Sequence, residues 1–211
     1  MIIDTLMWTL PNRRRFGIWF FSDLVIKNST PKECTVLPGT VYWITGLSGS
    51  GKTTVGKKLY SVIRDIKSNV VLLDGDDLRN VFGNDLGYTF EDRHKSAMRN
   101  SNISHFLALQ GLDVICCTIS MFDDVRKWNR ENIPNYIEVF LKVSDEILFE
   151  RNQKNLYVTS KDNLVGFGVT MEEPKNPDLI ITNDGKISVE KIVQQITELA
   201  NNGVLKNDKR N

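Results

Sequence analysis

One octapeptide constrains this chain more than any other part of it. Gly46-Leu47-Ser48-Gly49-Ser50-Gly51-Lys52-Thr53 fits the pattern G-x-x-x-x-G-K-[ST]. An apolar β-type run, Val41-Tyr42-Trp43-Ile44-Thr45, stands before it. A helical pattern follows, with Val55, Leu59, Val62, Ile63 and Ile66 recurring at steps of three or four. Strand, glycine-rich loop and helix in that order make a phosphate cradle. The glycines let backbone N–H groups converge on phosphate oxygens where a side chain would obstruct them. Lys52 is expected at the β- and γ-phosphates, and the Thr53 hydroxyl at Mg²⁺. Gly46 through Thr53, with Thr54 behind them, form the expected ATP site.

Around this loop the apolar pattern alternates between strand and helix. Strands are expected at 41–45, 70–73, 114–119, 136–141 and 179–181, and helices after the loop and at 91–110, 123–132, 144–153 and 188–200. Near-continuous apolar strands separated by helices predict a mostly parallel sheet covered on both faces, a three-layer α/β fold of the P-loop NTPase type. In such a sheet ligands gather at the carboxyl ends of the strands. The stretch 155–177 reads as irregular.

Composition narrows the function classes. Lys and Arg number 27 against 26 Asp and Glu, a net charge of +1, so no basic excess points to nucleic acid. Three cysteines, Cys34 and the adjacent Cys116-Cys117, show no metal-ligand spacing; a low, odd count suits a reducing cytoplasm. No apolar run reaches the about 18 residues that a membrane span needs. The pattern divides the chain into an extension at 1–38, a P-loop domain at 39–202 and a tail at 203–211, frayed from Lys206. The extension carries Arg13-Arg14-Arg15 and the aromatic run Phe16-Gly17-Ile18-Trp19-Phe20-Phe21. A packed arm, an interfacial membrane contact and an unordered extension all fit it. The cost of leaving so many aromatics in water favours the arm.

A second motif, Asp74-Gly75-Asp76-Asp77-Leu78-Arg79, follows the second strand. Phosphoryl transfer needs a carboxylate at the acceptor hydroxyl and oxygen ligands for Mg²⁺. Asp74 and Asp76 are the candidates, with Thr53 and Asp74 at the metal and Asp74 at the hydroxyl. Arg79 is placed to pair with an anion.

With GLSGSGKTT at 46–54, DGDDLR at 74–79 and DLGYTFEDR at 85–93, the chain resembles the adenylyl-sulfate kinase family across about residues 39–200. The resemblance implies ATP- and Mg²⁺-dependent phosphorylation of the 3′-hydroxyl of adenosine 5′-phosphosulfate, and a homodimer. It assigns Arg79 and Arg93 to the acceptor's 5′ anion and Tyr88 to the nucleotide pocket, where the family usually has Phe. It sets Ile119 and Ser120 beside the acceptor, Lys154 before a lid, and Phe167 on the acceptor base. Its departures fall on the acceptor side. Ser96 stands where the family usually has Asn, Met98 replaces an Arg, Met121 a Pro, and the stretch from Thr159 to Val169 keeps only Gly166-Phe167 of the usual lid. Such changes also look similar to kinases that act on cytidine diphosphoramidate, and both acceptors stay open. His94 and His105 have no nucleophile pattern around them. A nucleotide-driven switch or a non-catalytic scaffold would need neither the second acidic motif nor the acceptor arginines.

Overall fold

The computed structural model describes residues 36–151 and 172–207. The aromatic extension with Cys34, and the 152–171 stretch with Lys154 and Phe167, lie outside the described residues. Eleven elements are described. The strands are β1 (Thr40–Thr45), β2 (Val70–Asp74), β3 (Asp113–Cys117), β4 (Asn135–Lys142) and β5 (Leu179–Thr182). The helices are α1 (Lys52–Ile66), α2 (Gly75–Val81), α3 (Phe90–Leu109), α4 (Asp123–Asn132), α5 (Asp145–Glu150) and α6 (Val189–Asn207).

The five strands pair in parallel throughout, in the order β2-β3-β1-β4-β5. Strand period divides each one between two cores. Tyr42 and Ile44 of β1, with Ile115, Val139, Leu141 and Ile181, pack against Val55, Leu59 and Ile63 of α1 and Ile192 and Ile196 of α6. Val41 and Trp43, with Val114 and Cys116, pack against Ala97 and Ala108 of α3 and Val125 of α4. The expected two-sided sheet is therefore present. Cys116 and Cys117 point into opposite cores as free, buried thiols.

Four local differences from the expected pattern have physical causes. β3 ends at Cys117, earlier than the apolar run suggests: Thr118 N still donates to Ile44 O at 3.0 Å, but Ser120 then turns the chain with a φ of 26°. α2 is not among the expected helices; Asp74 caps it by accepting from Asp76 N at 3.0 Å. α3 faces the sheet with Ala97, Asn100, Ser101, Ser104 and Ala108, a small and largely polar surface. α6 continues to Asn207, past both residue 202 and the point where fraying was expected.

Chain order and pairing together position the site. β1 is central, and the chain leaves it for β2 on one side and later for β4 on the other. The crevice at its carboxyl end is the switch point at which parallel sheets bind ligands. Gly46-to-Gly51 occupies this crevice. Gly46 (φ 152°) lies so close to Leu141 O and Ser50 Oγ that a Cβ would meet each at 2.6 Å. Gly51 (φ 92°) caps α1 in a left-handed conformation that an L side chain rarely adopts.

Candidate active site

Two adjoining cavities open at this carboxyl edge. The larger, about 710 Å³, lies between the phosphate loop and the loop after β5, where Asn183, Gly185 and Ser188 form the far wall. The smaller, about 130 Å³, is enclosed by α2, α3 and the loop after β3. Gly75, Asp76, Thr118 and Ile119 line both. A group held in one cavity is therefore next to a group held in the other.

Ser48, Gly49 and Gly51 of the loop, with Lys52, Thr53 and Thr54, line the larger cavity. Lys52 Nζ donates to Leu47 O at 2.6 Å, which folds the ammonium over the loop. Thr53 Oγ1 donates to Asp74 Oδ2 at 2.6 Å, while Asp74 Oδ1 holds the start of α2. A hydroxyl and a carboxylate side by side at the mouth of a phosphate cradle match the oxygen-only taste of Mg²⁺. That ion commonly takes one or two protein oxygens and completes its shell with water and substrate phosphates. Among the described residues no cluster of three or more His, Cys, Asp or Glu would hold a metal by itself. Asn183 Nδ2 donates to Ser50 O at 2.8 Å and ties the loop to the end of β5. Arg151 adds a guanidinium to this wall.

In the smaller cavity Arg79, Tyr88, Arg93, Ser96, Ile119 and Ser120 line one space. The two guanidinium carbons stand 4.6 Å (Arg79) and 5.2 Å (Arg93) from the Tyr88 ring centre. Arg79 donates to Leu86 O and Gly87 O at 2.7 and 3.0 Å, and Arg93 Nε to Tyr88 O at 2.9 Å. The two arginines thus shape the loop between α2 and α3 while concentrating positive charge. Burial, and then the neighbouring Arg79 charge, pull the Arg93 pKa below the ordinary arginine value. Like charges gathered in a small cavity favour an anion there.

The departures divide by position. Ser96 and Met121 are on the cavity wall, whereas Met98 packs against the core beneath α3. His94 is bound to Asp124 at 2.6 Å and lies edge-on to Phe122; His105 lies edge-on to Trp128. Asp76 lines both cavities, but Asp74 lines only the larger. Glu172 rejoins the described chain at this wall: its N–H donates to Met121 O at 3.3 Å, and its carboxylate accepts from Asp123 N at 2.6 Å.

Sequence reasoning missed Asn100, Thr118, Arg151 and Asn183. Asn183 follows β5 directly, so the rule that ligands gather after strands could have found it. Asn100 and Thr118 are polar residues within a helix and strand pattern otherwise read for apolar periodicity. No signal marks Arg151.

The family model for adenylylsulphate kinase matches residues 38–182. The chain belongs to the adenylylsulphate kinase family. It is a phosphotransferase with a hydroxyl acceptor. The cytidine diphosphoramidate kinase of Campylobacter jejuni is 36% identical over 160 residues, 74% of this chain and 93% of that one. The adenylyl-sulfate kinase of Halothermothrix orenii is 35% identical over 164 residues, 76% of this chain and 88% of that one. Among solved structures, the APS kinase of Mycobacterium tuberculosis in complex with AMPPNP and APS has a TM-score of 0.70 at 29% identity. That likeness covers 77% of this chain and 97% of the other. Among the described residues no helix is long and apolar enough to cross a membrane.

Proposed function

We propose that this kinase transfers the γ-phosphoryl group of ATP to the 3′-hydroxyl of a nucleotide-linked anion, with adenosine 5′-phosphosulfate as the first-choice acceptor. The observation that carries this reading is the common wall of the two cavities at Gly75, Asp76, Thr118 and Ile119. One cavity holds a phosphate loop, and the other is ringed by arginines. A donor phosphoryl group and an acceptor hydroxyl can meet at that wall, as in-line transfer requires.

ATP lies along the loop from Gly46 to Thr54, with Lys52 balancing charge that develops on the transferred group. Thr53 and Asp74 would hold Mg²⁺, which supplies charge neutralisation and fixes the phosphate geometry. Sequence reasoning gave the acceptor hydroxyl to Asp74. Because Asp74 is engaged with Thr53 and Asp76 lines both cavities, we assign the hydroxyl to Asp76 instead. Asp76 orients the hydroxyl and accepts its hydrogen bond as the new O–P bond forms. Arg79 and Arg93 grip the 5′ anion, and Tyr88 offers its ring as part of the nucleotide pocket. Lys154 and Phe167 keep the roles that the family resemblance implies, before the lid and on the acceptor base.

Cytidine diphosphoramidate is the second reading. It is favoured by Ser96 and Met121, two departures that line the acceptor cavity, and by the similarity to the Campylobacter jejuni enzyme. A competition assay with ATP·Mg²⁺ and both acceptors separates the two. Preference for the adenosine compound supports the first reading, preference for the cytidine compound replaces it with the second, and transfer to neither refutes both.

A further inference from the structure

Three polar side chains form a line through the inner wall of the smaller cavity. Asn100 on α3 is 2% exposed, and Thr118 and Ser120 after β3 are each 7% exposed. Asn100 Nδ2 donates to Thr118 Oγ1 at 3.2 Å, and Thr118 Oγ1 lies 2.7 Å from Ser120 Oγ. All three line the cavity.

Proton counting leaves this line two arrangements. A hydroxyl has one proton to give and two lone pairs to accept with. Asn100 occupies one lone pair of the Thr118 hydroxyl, which either gives its proton to Ser120 or accepts the serine proton on its second lone pair. In the first arrangement the serine proton, with Thr118 as that hydroxyl's partner among the described residues, is turned toward the cavity. Each donor in such a chain polarises the next and strengthens the last. The Ser120 backbone is held at a φ of 26°, a conformation uncommon for residues other than glycine, which fixes where that last donor points.

We propose that Asn100 and Thr118 are positioning residues that aim the Ser120 O–H at an oxygen of the acceptor's terminal anion. This rests on reading the smaller cavity as the acceptor site. The two arginines supply charge, and the relay supplies a neutral donor from the wall of the same cavity. Both a sulfate and a phosphoramidate end carry oxygens able to accept from it.

The test is calorimetric titration of the full chain, with its phosphate-loop cleft filled by a non-hydrolysable ATP analogue. The probes are adenosine 5′-phosphosulfate and cytidine diphosphoramidate. Thr118→Val keeps the side-chain shape but cannot pass a proton on, Asn100→Leu removes the start of the relay, and Thr118→Ser keeps it. Val and Leu variants are expected to bind the preferred acceptor about tenfold more weakly or worse, the scale of one hydrogen bond to a charged group. Their affinity for the ATP analogue should stay at the wild-type value. Thr118→Val also leaves the buried Asn100 amide without its acceptor, so its melting temperature should fall, whereas Thr118→Ser should keep the wild-type melting temperature and bind within about twofold of wild type. Wild-type affinity in Thr118→Val, or a Thr118→Ser variant as weak as Thr118→Val, overturns the relay. So does a wild-type protein that binds neither probe. A wild-type protein that binds a probe but transfers no phosphoryl group refutes the proposed function and leaves the relay standing.

Discussion

Replacing Gly56 by Ala sets two well-defined effects against each other. In an exposed helix the change favours folding by about 1 kcal/mol, because glycine loses more backbone freedom than alanine. Gly56 lies on the buried side of α1, pressed against the sheet. A Cβ there would overlap Cys117 Sγ and meet Leu72 Cδ1 at 3.3 Å and Ile115 Cγ2 at 3.6 Å. Comfortable contact needs roughly 3.5–4.0 Å, so either the buried thiol turns aside or helix and sheet separate by more than an ångström. Overpacking of this kind costs about 1–3 kcal/mol, and at the upper part of that range it exceeds the propensity gain. The net loss of up to about 2 kcal/mol corresponds to a fall in Tm of up to roughly 8 °C for a chain of this size. Cys117 Sγ also donates to Lys52 O at 3.4 Å, so the same displacement moves the first turn of α1 and should raise the KM for ATP. Thermal melts of Gly56→Ala, Cys117→Ala and the double variant form a cycle. Removing the thiol should return most of the loss, with a coupling energy above about 1 kcal/mol. A Gly56→Ala protein that is as stable as wild type or more so, or additive single variants, would refute the close-packing argument.

Four further outcomes are expected. Lys52→Ala should abolish turnover while far-ultraviolet circular dichroism stays unchanged; near-wild-type turnover would remove the phosphate loop from the mechanism. Asp76→Asn should lower kcat by roughly a hundredfold or more with little change in Mg²⁺ requirement, whereas Asp74→Asn should raise that requirement; titrating Mg²⁺ against rate distinguishes them. Arg93→Ala should raise the acceptor KM by about tenfold or more while leaving the KM for ATP within about twofold, as expected for loss of a charge-assisted contact. Burial first, and then the Asp74 charge, push the Cys117 thiol from 9.0 up to about 12. The folded protein then keeps a proton that the unfolded chain releases, so this thiol's contribution is intact below pH 9 and is lost as pH rises toward 12. Chemical denaturation between pH 8 and 11 should show stability falling on the alkaline side, less steeply in Cys117→Ala.

Much of the fold is legible in the sequence because its strands are buried on both faces and read as unbroken apolar runs. Val41 to Ile44 is of this kind, and Tyr136 to Leu141 is interrupted only by Glu138, which is buried and paired with Arg130. The phosphate loop is legible for a different reason: glycine and lysine at fixed spacing have few other uses. The periphery is harder to read. α2 is seven residues long and depends on the Asp74 cap, a contact that apolar periodicity does not register. α3 turns Asn100, Ser101 and Ser104 toward the sheet, so its functional face resembles a solvent face in sequence. Met98 shows the converse, since it departs from the family pattern at the acceptor motif yet packs in the core. Asn183 joins the loop across 133 residues of chain, which no local pattern reveals.

The most direct test of the central claim is to follow the phosphorus. The protein, γ-³²P-labelled ATP, Mg²⁺ and the preferred acceptor are incubated, and the product is isolated and its labelled position determined by nuclease treatment and ³¹P magnetic resonance. The account predicts one labelled phosphate on the 3′-oxygen of the nucleotide for each ADP formed. ADP released with inorganic phosphate alone, or label on the 5′ terminal group, would contradict it.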